Sequence, residues 1–254
     1  TRKVADKLKS LFNENRKDFE AKWNDIKIVI EYGMLSEDKF FEKADAFALY
    51  PTVDGTYYTY EELFNKIKAN QTDKDDKLVI LYASNEDAQH SYIEAAKAKG
   101  YEVLLLDSPI VSHLMQKLES TKENITFSRV DADHIDNLIK KEDTKISKLT
   151  DEQKTELETL LKEVIPAEKF SVQLETMDSE ATPFMITQPE FMRRMKEMQQ
   201  TGGGMFGMGN MPDMYNLVVN TNSELVGEIL ATKTKKKQER LINQSLDLAR
   251  LSQG

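Results

Sequence analysis

Two apolar segments, the first of them unbroken, constrain this chain more than any other feature. Leu78-Val-Ile-Leu-Tyr82 and Tyr101-Glu-Val-Leu-Leu-Leu106 flank a stretch from Asn85 to Lys99 in which Tyr92, Ile93 and Ala96 recur at helical spacing, with Gly100 as its stop. A run that is apolar at every position suits a strand covered on both faces, whereas a strand with one wet face alternates. Strand, helix and strand within about 30 residues make a right-handed crossover between parallel neighbours. A helix from Pro109 to Glu119 and a third strand from Ile125 to Val130 extend the pattern, so the first half is expected to be an α/β/α sandwich.

Ahead of the sandwich, Val4, Leu8, Leu11, Phe12, Phe19, Trp23, Ile26 and Ile30 recur every three or four residues. The spacing predicts one long helix of about seven turns with a single apolar stripe. Trp23 anchors it in the core, and Gly33 ends it, or a short element after it, by taking a left-handed conformation. Ser36 reads as the N-cap of a second helix to Ala48. Pro51 to Gly55 reads as a turn, Thr59 caps a helix with Tyr60, Leu63 and Ile67 on one face, and Asn70 to Lys77 is a loop.

The polar stretch Asp131 to Thr150 marks a boundary, dividing the chain into domains over residues 1–140 and 141–254. In the second, Thr150-Asp-Glu-Gln153 forms a capping box that opens a helix to Ile165. Phe170, Val172 and Leu174 alternate as in a half-exposed strand, and Phe184 with Ile186 adds another. Pro189 opens a short helix to Gln200. Tyr215 to Val219 is a strand, and Ser223 caps a final helical region from Glu224 to Leu251. The expected class is α+β, with helices on an antiparallel sheet. Thr1-Arg2-Lys3 runs directly into helix without an initiator Met, as in a piece of a longer protein.

Composition excludes several functions. With 35 Lys and Arg against 44 Asp and Glu in 254 residues, the net charge is −9, which argues against nucleic acid as a partner. The longest apolar run, Leu78 to Ala83, falls far short of the roughly 20 residues a bilayer span needs. The absence of cysteine excludes a disulfide scaffold, a thiolate zinc site and a cysteine nucleophile, and it suits a reducing cytoplasm. Where a glycine-rich phosphate loop would stand, the chain reads Ala83-Ser84-Asn85-Glu86. His90, His113 and His134 fall in separate elements without metal-ligand spacing and are expected at the surface or at a boundary. Glu86, Asp87 and Asp107 flank the strand ends and read as caps and solvated charges. The basic run Lys233 to Arg240 reads as a solvated face or a bend between two helices. No catalytic constellation, cofactor or metal is expected, and the chain reads as something other than an enzyme.

The methionines point elsewhere. Eight of the 11 lie between Met185 and Met214. Phe191, Met195 and Met198 stand at i, i+4 and i+7 of one helix, with Met192 beside them and Arg193, Arg194, Lys196 and Glu197 opposite. Met205, Phe206, Met208 and Met211 continue after Gly202-Gly-Gly204. A methionine stripe packs cores, but it also suits a surface that must fit many partner shapes, because the side chain is unbranched and polarizable. Two readings stay open: a surface for loose apolar contact with varied chains, or an assembly module whose helix docks one fixed partner.

Several motifs, in order, resemble the 90-kDa heat-shock chaperone family. They are Arg2-Lys-Val-Ala-Asp-Lys-Leu8, Phe19-Glu-Ala-Lys-Trp23, Lys99-Gly-Tyr-Glu-Val-Leu-Leu-Leu-Asp107, Ala181-Thr-Pro-Phe-Met-Ile-Thr-Gln-Pro-Glu-Phe-Met-Arg-Arg-Met-Lys-Glu-Met198 and Tyr215-Asn-Leu-Val-Val-Asn220 with Ser223-Glu-Leu-Val226. The resemblance covers the whole chain and is closest to bacterial members. It implies the small α/β/α subdomain of the family's middle domain followed by its C-terminal dimerisation domain. It also implies that ATP and Mg are handled in parts of the parent protein outside this sequence. The partners it implies are partly unfolded client proteins and a second copy of the chain. By the same resemblance, client contact falls on Phe191, Met192, Met195 and Met198, and on a middle-domain patch at Ser112, His113 and Gln116. Dimerisation falls on Leu241, Ile242, Leu246 and Leu251, with the family's last helix beyond Gly254.

Overall fold

The structure, a computed structural model, describes residues 2–142, 145–202 and 212–253. The chain divides into two compact units: the described residues of Thr1–Val130 with those of Arg194–Gly209, and the described residues of Asp131–Arg193 with those of Asn210–Gly254.

The first unit opens with three helices, α1 (Arg2–Glu14), α2 (Arg16–Ala21) and α3 (Trp23–Ser36), where the periodicity predicts one. Asn15 breaks the first joint. Its backbone is extended, and its side-chain oxygen accepts from the Asp18 amide at 3.1 Å, so it caps α2 and cannot continue α1. Lys22 makes the second joint, serving as C-cap of α2 and N-cap of α3. The apolar stripe survives in part: Ala5, Phe19, Trp23 and Ile30 are buried, while Val4 and Leu11 are exposed. Gly33 does not end the helix. It lies inside α3 beneath the ring of Phe40 in α4 (Asp38–Ala44), where a Cβ would come within 2.8 Å of Cε1. Nor does Ser36 cap α4. It is the last residue of α3, its hydroxyl donates back to the Tyr32 carbonyl, and Glu37 takes the N-cap position.

A hairpin of β1 (Tyr50–Pro51) and β2 (Tyr57–Tyr58) turns at Gly55, whose φ of +78° suits glycine. Then α5 (Tyr60–Ile67) starts from the expected Thr59 cap. The Glu62 amide donates to the Thr59 hydroxyl, and the Glu62 carboxylate accepts from the Thr59 amide. Arg16 donates to the same carboxylate and to the Tyr57 carbonyl, which holds Glu62 below the usual carboxylate range.

β3 (Leu78–Ala83), α6 (His90–Ala98), β4 (Val103–Leu105), α7 (Val111–Thr121) and β5 (Ile125–Arg129) form the expected α/β core, a three-stranded parallel sheet in the order β4-β3-β5. Every residue of β3 is buried, as its unbroken apolar run requires. Leu78, Ile80 and Tyr82 join a core with Trp23, Phe47, Leu104, Leu114 and Phe127, and Val79 and Leu81 are buried on the opposite face. Gly100 stops α6 with φ +75°, and the Gly100 and Tyr101 amides return to the Lys97 and Ala96 carbonyls. Trp23, Met34, Tyr50 and Leu118 line a small cavity shared with the Glu31 carboxyl.

The second unit holds α8 (Ile135–Leu138), α9 (Asp151–Val164), β6 (Phe170–Glu175), β7 (Phe184–Thr187), the first residues of α10 (Glu190–Thr201), β8 (Tyr215–Asn220), α11 (Glu224–Ala231) and α12 (Lys235–Gln253). The capping box at Thr150 and Gln153 forms as expected. The sheet is mixed, not antiparallel. β8 lies centrally, parallel to β6 and antiparallel to β7. Alternation fixes which face of a strand is buried but says nothing of its direction. Leu217 and Val219 of β8 join Phe170, Phe184, Ile186, Leu157, Leu161, Ile242 and Leu246 in one core. At the end of β8, fully buried Asn220 accepts from the Met177 and Asn222 amides and donates to the Asp178 carbonyl. The chain does bend at the start of the basic run: Thr232, Lys233 and Thr234 separate α11 from α12. Ser223 takes the N-cap position of α11 without a side-chain hydrogen bond. His134 is buried, against expectation, because its ring nitrogen Nδ1 accepts from the Asp136 amide and caps α8.

Candidate functional site

Helix α10 is amphipathic, and its apolar side faces out. Phe191 is 70% exposed, Met192 54% and Met195 37%, and Met198 is half-buried. The polar side is the covered one. Arg193 is buried and pairs with Glu190 at 2.7 Å. Arg194 grips Glu119 of α7 with two nitrogens, at 2.8 and 3.1 Å, and its side chain is only 12% exposed. A helix on a globular protein ordinarily turns its apolar stripe inward, so this arrangement is the reverse of the common one. Met205, Phe206, Met208 and Met211 lie outside the described residues.

The patch expected on α7 lies alongside the later turns of α10, within the first unit. Ser112 is buried and donates to Glu197 Oε2 at 2.6 Å. His113 Nε2 lies 2.9 Å from the Thr201 hydroxyl. Gln116 is exposed. Arg194, Glu197 and Thr201 stand at i, i+3 and i+7, which makes them the inward face of that half of the helix. The structure therefore brings Ser112 and His113 together with the methionine helix, on its polar side. The sequence pattern identifies the exposed residues but misses Glu119, Glu197 and Thr201, which anchor them. A hint exists locally, since Arg194 and Glu197 share a face. Glu119 lies 75 positions away and carries no sequence signal.

On α12, Ile242 and Leu246 are buried in the core of the second unit and Leu241 is half-buried. Leu248 and Leu251 remain outside, at 63% and 79% exposure.

The strand ends hold no comparable arrangement. After β3, the Ser84 and Asn85 amides both donate to the buried side chain of Gln89, at 2.8 and 3.2 Å. Glu86 and Asp87 are exposed, and Asp107 pairs with Lys27. Among the described residues no group of three or more His, Asp or Glu side chains could hold a metal ion, and no helix is long and apolar enough to cross a membrane.

The sequence profile of the Hsp90 protein family matches residues 1–250. A chaperone protein HtpG of Bacteroides fragilis (strain YCH46) is 48% identical over 238 residues, covering 92% of this chain and 35% of that protein. The HtpG of Porphyromonas gingivalis (strain W83) is 42% identical over 234 residues, or 91% of this chain and 34% of the relative. A match to the HtpG of Mycobacterium avium (strain 104) is shorter, 31% identical over 114 residues. The chain thus spans about a third of the length of the relatives it matches over most of its own length.

Proposed function

Because this chain belongs to the Hsp90 family, we propose that it is the client-holding and self-associating portion of a cytoplasmic ATP-dependent chaperone. The supporting observation is the outward apolar face of α10. Phe191, Met192 and Met195 offer flexible, polarizable contact area without a fixed pocket, which suits a surface that accepts many partly unfolded chains. Covering one such side chain contributes up to about 1.5–3 kcal/mol, less the cost of ordering both partners. Single contacts are therefore weak, and two copies of the surface in a dimer gain by effective concentration. The exposed Leu248 and Leu251 of α12 supply apolar area for that dimer.

The strand ends favour assigning nucleotide to other parts of the protein. The amides after β3 that would receive a phosphate are already taken by Gln89, with two acids beside them. ATP and Mg would be handled by the remainder of the parent protein.

The test is suppression of aggregation of two unrelated heat-labile proteins by the chain and by a Phe191→Ser/Met192→Ser/Met195→Ser variant. Protection of both by the parent and of neither by an equally folded variant supports the reading. Equal protection by the variant places client contact elsewhere. Binding of a single partner with no general protection favours an assembly module.

A further inference from the structure

β5 is an edge strand, and its middle peptide is closed by side chains instead of by another strand. Its parallel pairing with β3 uses the Asn124 carbonyl and the Val130 amide among others. Alternation then turns the Phe127 amide and carbonyl toward the open side. There Glu119 Oε1 accepts from the Phe127 amide at 2.7 Å, and Arg194 Nη2 donates to the Phe127 carbonyl at 2.7 Å. The two side chains are themselves joined by the two-nitrogen grip described above. Carboxylate, guanidinium and peptide thus close a ring in which every donor meets an acceptor.

The same ring holds α10 by its polar side. An apolar helix face left in water is under constant drive to turn inward, and here that drive is opposed on the polar face by Arg194–Glu119, Glu197–Ser112 and Thr201–His113. Arg194 is the strongest of the three, being charge-assisted, largely covered and bound at two partners. We infer that Glu119 and Arg194 are positioning residues for the client surface: by locking the later turns of α10 to the Phe127 backbone they set the rotation that keeps Met195 turned out. The inference rests on the proposed client reading for its purpose, but its geometry is testable separately. Without the clasp, α10 rolls toward its apolar side, Met195 becomes covered, and the Phe127 peptide opens to water.

The experiment compares the whole chain with Arg194→Gln, Arg194→Lys, Glu119→Gln and the reversed pair Glu119→Arg/Arg194→Glu. Hydrogen exchange is read at the Phe127 amide, binding of an environment-sensitive apolar dye reports the Met195 face, and Ile80 exchange with Trp23 fluorescence confirms folding. Arg194→Gln is expected to speed Phe127 exchange about tenfold or more and to cut dye binding several-fold, with Ile80 unchanged. Arg194→Lys keeps the charge but cannot span carboxylate and carbonyl together, so it falls between. The reversed pair keeps an ion pair yet sets a donor against the Phe127 amide, so it is expected not to rescue. Unchanged exchange and dye binding in Arg194→Gln, or full rescue by the reversed pair, overturns the inference. Should the clasp variants alter exchange and dye binding while aggregation protection stays intact, the clasp stands and the client reading fails.

Discussion

The ring of Phe40 lies over the α-carbon of Gly33 so closely that a Cβ at position 33 would sit 2.8 Å from Cε1 and 3.0 Å from Cδ1. Gly33→Ala gains helix propensity worth about 1 kcal/mol. It loses more, since crowding a packed ring costs typically 1–3 kcal/mol. A net loss of roughly 1 kcal/mol follows. Trp23 is the only tryptophan and is buried in the same core, so urea unfolding followed by its fluorescence reports this unit. A midpoint equal to or above the parent's would disprove the close packing.

Glu31 is buried, and one carboxylate oxygen, Oε2, has no hydrogen-bond partner. Burial pushes its carboxyl above the usual carboxylate range, assisted by nearby Asp107 and only partly offset by the Ser108 hydrogen bond and Lys27. The folded value exceeds the unfolded one of about 4.3. Its contribution is therefore fully present below that pH and is lost as pH rises through the folded value. Glu31→Gln escapes that loss, so relative to the parent it gains stability between acidic and neutral pH. Unfolding midpoints by Trp23 fluorescence at pH 4 and pH 7 check this. A parent that instead gains on the variant as pH rises contradicts it.

Leucines on opposite sides of α12 are expected to behave oppositely. Leu246 is 2% exposed in the second core, so Leu246→Ala costs about 2–5 kcal/mol and melts that unit. Leu248→Ser and Leu251→Ser, at exposed positions, change stability by no more than about 0.5 kcal/mol. They weaken self-association, which sedimentation velocity over a concentration series would measure. Unaltered association in the double variant removes this end of α12 from the interface.

Asn220→Ala strips the acceptor from two buried amides, those of Met177 and Asn222, and the donor from the Asp178 carbonyl. Each of the two stranded amides costs about 1–3 kcal/mol, whereas the Asp178 carbonyl keeps its bond from the Ala181 amide. Loss of cooperative melting in the second unit is expected, seen by circular dichroism. An unshifted melt shows that water replaces all three bonds.

What the sequence discloses follows from where each determinant lies along the chain. The sandwich is legible because its central strand is apolar at every position from Leu78 to Leu81 and must be covered twice. Thr59 and Thr150 are legible because a capping box is complete within four residues. The breaks at Asn15 and Lys22 are hidden, because Phe12, Phe19 and Trp23 keep helical spacing across them while the interruption rests on single residues. The direction of β6 against β8 has no local signature, since alternation is blind to it. In the candidate site, Phe191 and Met195 stand out by spacing, but spacing cannot say which face of α10 is covered. That is decided by Glu119, far away in sequence.

The closed edge of β5 has one more consequence. If the proposed client reading holds, the protein meets a steady supply of extended segments looking for a strand to pair with, and an open parallel sheet is a template for them. With the Phe127 peptide already saturated by Glu119 and Arg194, such a segment finds no free amide and carbonyl at the middle of the strand. On that reading, the chain would offer its visitors side chains to rest against and withhold the backbone at Phe127, keeping contact reversible where strand addition would seed a fibre.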